Sequence, residues 1–182
     1  VDWGLQYGGL ENHPYYHVST LAFGDLNVHV HEIVHGWFGT GVRLACWHDL
    51  VLSEGTADYY AARAVEAVLG DEAGKKRWDS YEKFYANKVA QGADSIVWPA
   101  ECGDAKTAQT LLTQLLYKKG ALFWRDVEEL VGMKLLDAQF AAFFAAHKHK
   151  AGTLKTLLGA IEVASGKSLD ALIDKWLKTK KP

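Results

Sequence analysis

No stretch of this 182-residue chain is apolar for long enough to cross a membrane. The richest run, Phe140 to Ala146, is under half of the roughly 20 residues that a spanning helix needs. No charge of one sign prevails. The net charge is -2 and the pI is near 6.5, so there is no electrostatic case for a nucleic acid or an anionic membrane as partner. Cysteine is scarce: Cys46 and Cys102 can pair only if the loop holding Cys102 folds back near the helices described below, and two cysteines do not establish a redox compartment. No exact internal repeat or low-complexity tract is present. A charged and apolar leader is also missing. With Val1 in place of Met, the chain reads as a piece of a longer polypeptide whose targeting segment is not shown, and cellular location is unreadable.

What is present suits one globular domain over residues 1–182. Hydrophobic residues make up 49% and charged residues 23%, ordinary for such a domain, and a chain of this length buries roughly 70% of its unfolded surface. Residues 1–23 are rich in Tyr, Val, Thr and Gly and read as short strands with turns. From there the pattern is helical, giving a mainly α class with a short β segment at the start. Residues 24–70 should form the metal-binding helices and residues 71–182 a helical lobe. Asp25 can cap a first helix that Gly39 and Gly41 should end; a second runs from about Leu50 to Leu69, closed by Gly70, and a third from Asp71 to Ala90. Residues 92–107, with Pro99 and Gly103, lack a helical period and read as a loop. A long apolar helix is expected from Ala108 to Val131, then helices near Leu135 to Lys148, Leu154 to Ser165 and Leu169 to Lys178, separated by Gly152 and Gly166.

The chemistry is carried by His31-Glu32-Ile33-Val34-His35. On a helix the i, i+4 spacing puts both imidazoles on one face, able to share a cation, while Glu32 can reach water beside the metal instead of the metal itself. Such a pentapeptide arises by chance in about one chain in fifty, and a Glu at a set distance downstream lowers that roughly tenfold or more. Glu54, nineteen residues beyond His35, is that third candidate ligand. Two imidazoles and one carboxylate leave the fourth position of one zinc ion open, which is the pattern of a catalytic centre. Glu32 can then act as general base for water attacking an amide carbonyl. Asp58, one turn after Glu54, can accept the free N–H of a ligand histidine. His29 points off the metal face, and at His13, His17, His48, His147 and His149 the sequence offers no ligand spacing that competes with His31, His35 and Glu54.

Four segments carry a resemblance: Gly8-Gly9-Leu10-Glu11-Asn12; His31 through Phe38-Gly39; Trp47-His48-Asp49-Leu50-Val51-Leu52-Ser53-Glu54-Gly55; and Tyr117-Lys118-Lys119-Gly120-Ala121. In this order, over about Tyr7 to Ala121, the chain resembles the gluzincin zinc aminopeptidases, which include aminopeptidase N and leukotriene hydrolase. The resemblance implies an incomplete thermolysin-like catalytic domain acting on peptides with a free amino terminus. Glu11 would hold the α-ammonium group, with Gly8, Gly9 and Leu10 lining the substrate; Tyr117 would donate to the developing oxyanion; Trp98 and Glu101 would stand beside the cleft. It also implies further domains in a longer chain and missing early strands of the usual sheet, which would leave an open edge. Leu10, Thr40, Val51, Ser53 and Thr56 depart from the family pattern, and none removes a reacting group. Other readings are a glycyl-aminopeptidase-like enzyme, an endopeptidase or epoxide hydrolase on the same site, an inactive scaffold, and a structural zinc domain.

Overall fold

The computed structural model describes residues 8–12 and 14–181; residues 1–7, His13 and Pro182 lie outside what it describes. The mainly helical class with a short β segment is what it shows. Strands β1 (Gly9–Asn12) and β2 (Tyr15–Val18) form an antiparallel hairpin with Gly9 opposite Val18 and Glu11 opposite Tyr16. The hairpin lies along helix α1 (Leu26–Val34), whose first turn is capped by Asp25, its carboxylate accepting the Asn27 amide at 2.9 Å.

Helix α1 stops at Val34, short of the glycines expected to end it. Past Val34 the backbone bonds change register, the Gly36 amide donating to the Ile33 carbonyl at 3.0 Å and the Thr40 amide to the His35 carbonyl at 3.0 Å. The chain turns through Gly39 at φ 114°. It then forms β3 (Arg43–Leu44), which pairs in parallel with β4 (Ala151–Gly152), a contact that periodicity gave no sign of. Gly152 is therefore more than a spacer: a Cβ there would stand 2.6 Å from the Phe143 ring.

The second expected helix is built in three pitches. A 3-10 turn, Trp47–Asp49, leads to a π-helical turn, Val51–Gly55, and then to α2 (Thr56–Leu69). Gly70, at φ 89°, ends it and starts α3 (Asp71–Ala90), whose bounds follow the breakers as expected. The long helix expected from Ala108 is two helices, α4 (Ala105–Leu111) and α5 (Gln114–Val131). Asp104 and Thr107 form a capping box that starts α4 inside the expected loop. The break falls at Leu112 (ψ 74°) and Thr113 (φ -129°, ψ 155°), with no Pro or Gly to announce it. Tertiary packing forces it: α4 lies on the Trp47–Asp49 turn, whereas α5 crosses α2, α3 and the π turn, and one straight axis cannot serve both. Helices α6 (Met133–His147) and α7 (Leu154–Ser165) follow. The last expected helix splits into α8 (Asp170–Ile173) and a π turn, Asp174–Lys178.

Helix α2 is the hub, packed by α1, α3 and α5. Its Tyr59, Ala61 and Ala62 are fully buried with Phe123 and Trp124 of α5, and with Leu136 and Phe140 of α6 close by. Truncating a buried aromatic here would cost about 3–5 kcal/mol. The closest crossing is between Gly55 and Gly120: a Cβ on Gly120 would stand 2.6 Å from the Gly55 Cα. Only two facing glycines let α5 come this near to the π turn. Cys46 and Cys102 form a disulfide with Cα atoms 5.1 Å apart across a sequence separation of 56. Closing such a loop removes unfolded-state freedom worth about 4 kcal/mol in the chain-entropy account.

Candidate metal centre

Three acceptor atoms converge between α1 and the π turn. His31 Nε2 is 3.1 Å from His35 Nε2, and Glu54 Oε2 lies 3.2 Å from the first and 3.4 Å from the second. The i, i+4 spacing supplies the two rings. The π turn supplies the carboxylate: the Thr56 amide reaches back to the Val51 carbonyl, and this wider pitch re-aims Glu54 toward α1. All three residues are buried, His35 to 1% exposure.

Both imidazoles have their other nitrogen engaged. His31 Nδ1 donates to Asp58 Oδ1 at 2.9 Å, and His35 Nδ1 donates to the Phe38 carbonyl with the Ser53 hydroxyl 3.2 Å away. Each ring therefore presents its Nε2 lone pair to the common point. Gly39 makes room for this cluster, since a Cβ on it would stand 2.5 Å from Ser53 Oγ.

Lone pairs that face each other at this range need positive charge between them. Around a tetrahedral zinc ion, donors at about 2.0–2.1 Å would lie about 3.3–3.4 Å from one another, close to the separations seen, so the donor set fits that ion in kind and spacing. The electrostatics agree. Burial opposes charge on His31, but its bonds to Asp58 and Glu54 more than offset this and push it up to about 10, so the cluster favours positive charge at this point. For Glu54 burial opposes ionisation, and His31 and His35 overcome it and hold the carboxyl well below its ordinary value.

Glu32 is buried beside this cluster, and its Oε2 has no hydrogen-bond partner. Burial pushes its carboxyl up to about 7, against the pull of His31 and His35. Strand β1 passes directly over it: a Cβ on Gly9 would overlap Glu32 Oε1 at 2.2 Å. Glu11, two residues on and so on the same face of the strand, brings a carboxylate within 4.8 Å of donor atoms on Glu32 and His35. Leu10 alternates to the other face and is 47% exposed, while Gly8 sits against Val28 of α1. A cleft of about 210 Å³ runs between hairpin and helix, walled by Glu11, Tyr15, Tyr16, Glu32, Ile33 and Thr40. From the far side, the Tyr117 ring stacks on His31 with centroids 5.6 Å apart and planes at 11°. Burial and the neighbouring Glu54 carboxylate raise its phenol above its ordinary value.

Residues 23–176 match the family model of the peptidase family M1 domain. The chain belongs to peptidase family M1. Tricorn protease-interacting factor F2 of Thermoplasma volcanium is 28% identical over 153 residues, 81% of this chain and 19% of that protein. Aminopeptidase N of Streptomyces lividans is 29% identical, over 82% of this chain and 18% of that protein. The fold is similar to that of an M1 zinc metallopeptidase from Deinococcus radiodurans, with a TM-score of 0.77 at 18% identity over 98% of this chain and 38% of that one. Yeast LTA4 hydrolase gives a TM-score of 0.74 at 22% identity, over 97% of this chain and 30% of that one. The chain thus spans about a fifth of the length of the curated relatives it matches, 19% for the first of them.

Within this M1 domain the structure also places residues that spacing did not single out. Ser53, noted only as a departure from the family pattern, lies under His35. Lys118 reaches Asp58 Oδ2 at 2.6 Å. A lysine beside a site tyrosine carries no signal of its own, because its direction depends on what packs against the helix. Trp98 is a buried residue whose indole N–H donates to Asp49 at 3.3 Å, and the Glu101 carbonyl accepts from His48 Nδ1 at 3.0 Å. These bonds hold the disulfide-bearing loop to the Trp47–Asp49 turn.

Proposed function

We propose that this chain is the zinc-binding part of an aminopeptidase that removes amino-terminal residues from peptides. The observation that carries this is the convergence of His31 Nε2, His35 Nε2 and Glu54 Oε2, with both Nδ1 atoms already donating elsewhere. One zinc ion held there would polarise the scissile carbonyl and acidify water. Glu32, buried and with one oxygen unpartnered, takes the proton of the attacking water and returns it to the leaving amine.

Tyr117 donates its hydroxyl to the oxyanion, and burial keeps the phenol protonated for that purpose. Glu11 receives the α-ammonium group of the substrate, and its distance from Glu32 limits cleavage to the first bond. Aminopeptidase N relatives and a Deinococcus radiodurans neighbour whose structure holds a Tyr-Ser-Ala substrate support the substrate class. Asp58 keeps His31 in the tautomer that presents Nε2.

The test is metal content together with release of a fluorescent amine from free and acetylated alanyl and leucyl substrates, for the parent and Glu32→Gln. One zinc per chain and activity confined to free amino termini, lost in the variant, is the expected result. Cleavage of blocked substrates would make it an endopeptidase, bound zinc without turnover in the full-length protein would make the site a retired one, and no zinc would remove the basis of the reading.

A further inference from the structure

Two consecutive residues of α5 meet His31 by different routes. Tyr117 stacks on the imidazole, whereas Lys118 approaches through a carboxylate: its Nζ is 2.6 Å from Asp58 Oδ2, and Asp58 Oδ1 accepts from His31 Nδ1 at 2.9 Å. Both charges are largely out of water, with 16% of the Lys118 side chain and 4% of the Asp58 side chain exposed. Salt and solvent screen such a pair little. The ammonium is held on a second side by the Tyr81 ring, whose centroid is 4.3 Å away, and the Tyr81 hydroxyl donates to Asn27 of α1 at 3.2 Å.

We infer that Lys118 is a positioning residue of the metal centre: it holds Asp58 in the orientation that fixes His31, and so makes metal affinity depend on the helix that carries Tyr117. The inference rests on the zinc reading of the cluster. Charge balance is one reason. With Lys118 balancing Asp58, the one carboxylate of the His31, His35 and Glu54 set is left to a divalent cation. Geometry is the other. Asp58 shares its two oxygens between a ring nitrogen on α1 and an ammonium on α5, so removing the second bond frees the carboxylate to rotate away from the first. The Gly55–Gly120 crossing sets α5 close against the π turn, so Lys118 meets Asp58 from a helix packed directly on the segment that carries Glu54.

Zinc dissociation constants, measured by competition with a chromogenic chelator, would be compared for the parent, Lys118→Met, Lys118→Arg, Asp58→Asn and the Lys118→Met/Asp58→Asn pair. Loss of a partner that orients a ligand histidine weakens metal binding about 10–100-fold, and Lys118→Met is expected at the lower end of that range. Arginine should recover most of the loss. In the Asp58→Asn background Lys118→Met should cost less than about twofold, because the same link is already broken. The visible spectrum of the cobalt-substituted protein should shift in Lys118→Met and return in Lys118→Arg. Unchanged affinity in Lys118→Met, or losses that add in the pair, would overturn the role. Should Lys118→Met lose its fold by circular dichroism, Lys118→Gln decides by the same measurements. A parent that binds no zinc overturns the metal reading, and Lys118's role with it, whereas a zinc-binding parent with an indifferent Lys118 overturns this inference alone.

Discussion

Lys118 and Lys119 are neighbours in sequence, and both end on a buried aspartate, yet they serve different sides of α5. Lys119 is fully buried and has its donors saturated: Asp94 Oδ1 at 2.9 Å, the Ser95 carbonyl at 2.8 Å and the Thr179 carbonyl at 3.2 Å. Its partner is saturated too, since Asp94 Oδ2 accepts the Lys181 amide at 2.8 Å and the Tyr85 hydroxyl at 3.3 Å. That side ties residues 94–95 and 179–181 to the helix. Lys118, about 100° round the helix, has one carboxylate and one aromatic ring, and its carboxylate is shared with a histidine of the metal centre. A closed network locks the scaffold. A shared one transmits position to the site.

Removing Asp94 should have the largest effect. Asp94→Ala leaves the Lys119 charge buried without a counter-charge, a change that typically costs about 3–5 kcal/mol. Denaturant unfolding should show that loss, while any folded fraction keeps its zinc affinity; a loss under 1 kcal/mol would contradict the contrast between the two lysines.

Tyr117→Phe should do the reverse. It deletes one oxyanion donor from the metal-facing side, so kcat is expected to fall about 10²–10³-fold with the unfolding midpoint nearly unchanged. Equal turnover in the variant would remove the role given to the hydroxyl.

Gly120→Ala attacks both sides together. The new Cβ would stand 2.6 Å from the Gly55 Cα, so α5 has to move away from the turn that carries Glu54. A loss of about 1–3 kcal/mol in stability is expected, together with weaker zinc binding. Loss of one without the other would show that the crossing is not what joins them.

Acid sharpens the comparison further. Burial opposes charge on Asp94, but its bonds from Lys119, Lys181 and Ser95 outweigh this and hold the carboxyl below its ordinary value. A group depressed in the folded state gives stability that is complete above its unfolded value, about 3.9, and is lost as pH falls through the lower folded value. Between pH 7 and pH 3 the parent should therefore lose more stability than Asp94→Asn, as read by denaturant titration. The opposite order would reverse the sign assigned to the pair.

The smallest effect is expected away from both sides. Arg63 grips Asp137 with two bonds, of 2.6 and 3.0 Å, at a site where 40% of the Asp137 side chain is exposed. Arg63→Lys keeps the charge but loses the two-pronged grip and the stacking on Tyr59 and Tyr60, and should cost on the order of 1 kcal/mol in thermal or denaturant unfolding.

Local signals were legible wherever nearby residues set the outcome. Asp25 marks the start of α1, Gly70 and Asp71 bound α3, and Leu154 to Ser165 stands as written. The rings of His31 and His35 share a face because helix geometry requires it. Breaks without a breaker were not legible: Leu112 and Thr113 carry no signal, and the helix parts there because its two halves lie on different neighbours. Pairing of Cys46 with Cys102 stayed open and the parallel β3–β4 contact was silent, since each joins residues far apart in the chain.

The sequence by itself determined the donor types, the spacing that aligns two imidazoles, and the helices bounded by their own caps. Only the tertiary structure decided that Glu54 is aimed by a π turn, that Gly55 and Gly120 let α5 approach it, and that of two adjacent lysines one faces Asp58 and the other Asp94. The physical reason is one of range. Periodicity and capping act over a few residues, whereas the direction of a side chain and the pitch of a turn are set by whatever packs against them from elsewhere in the chain.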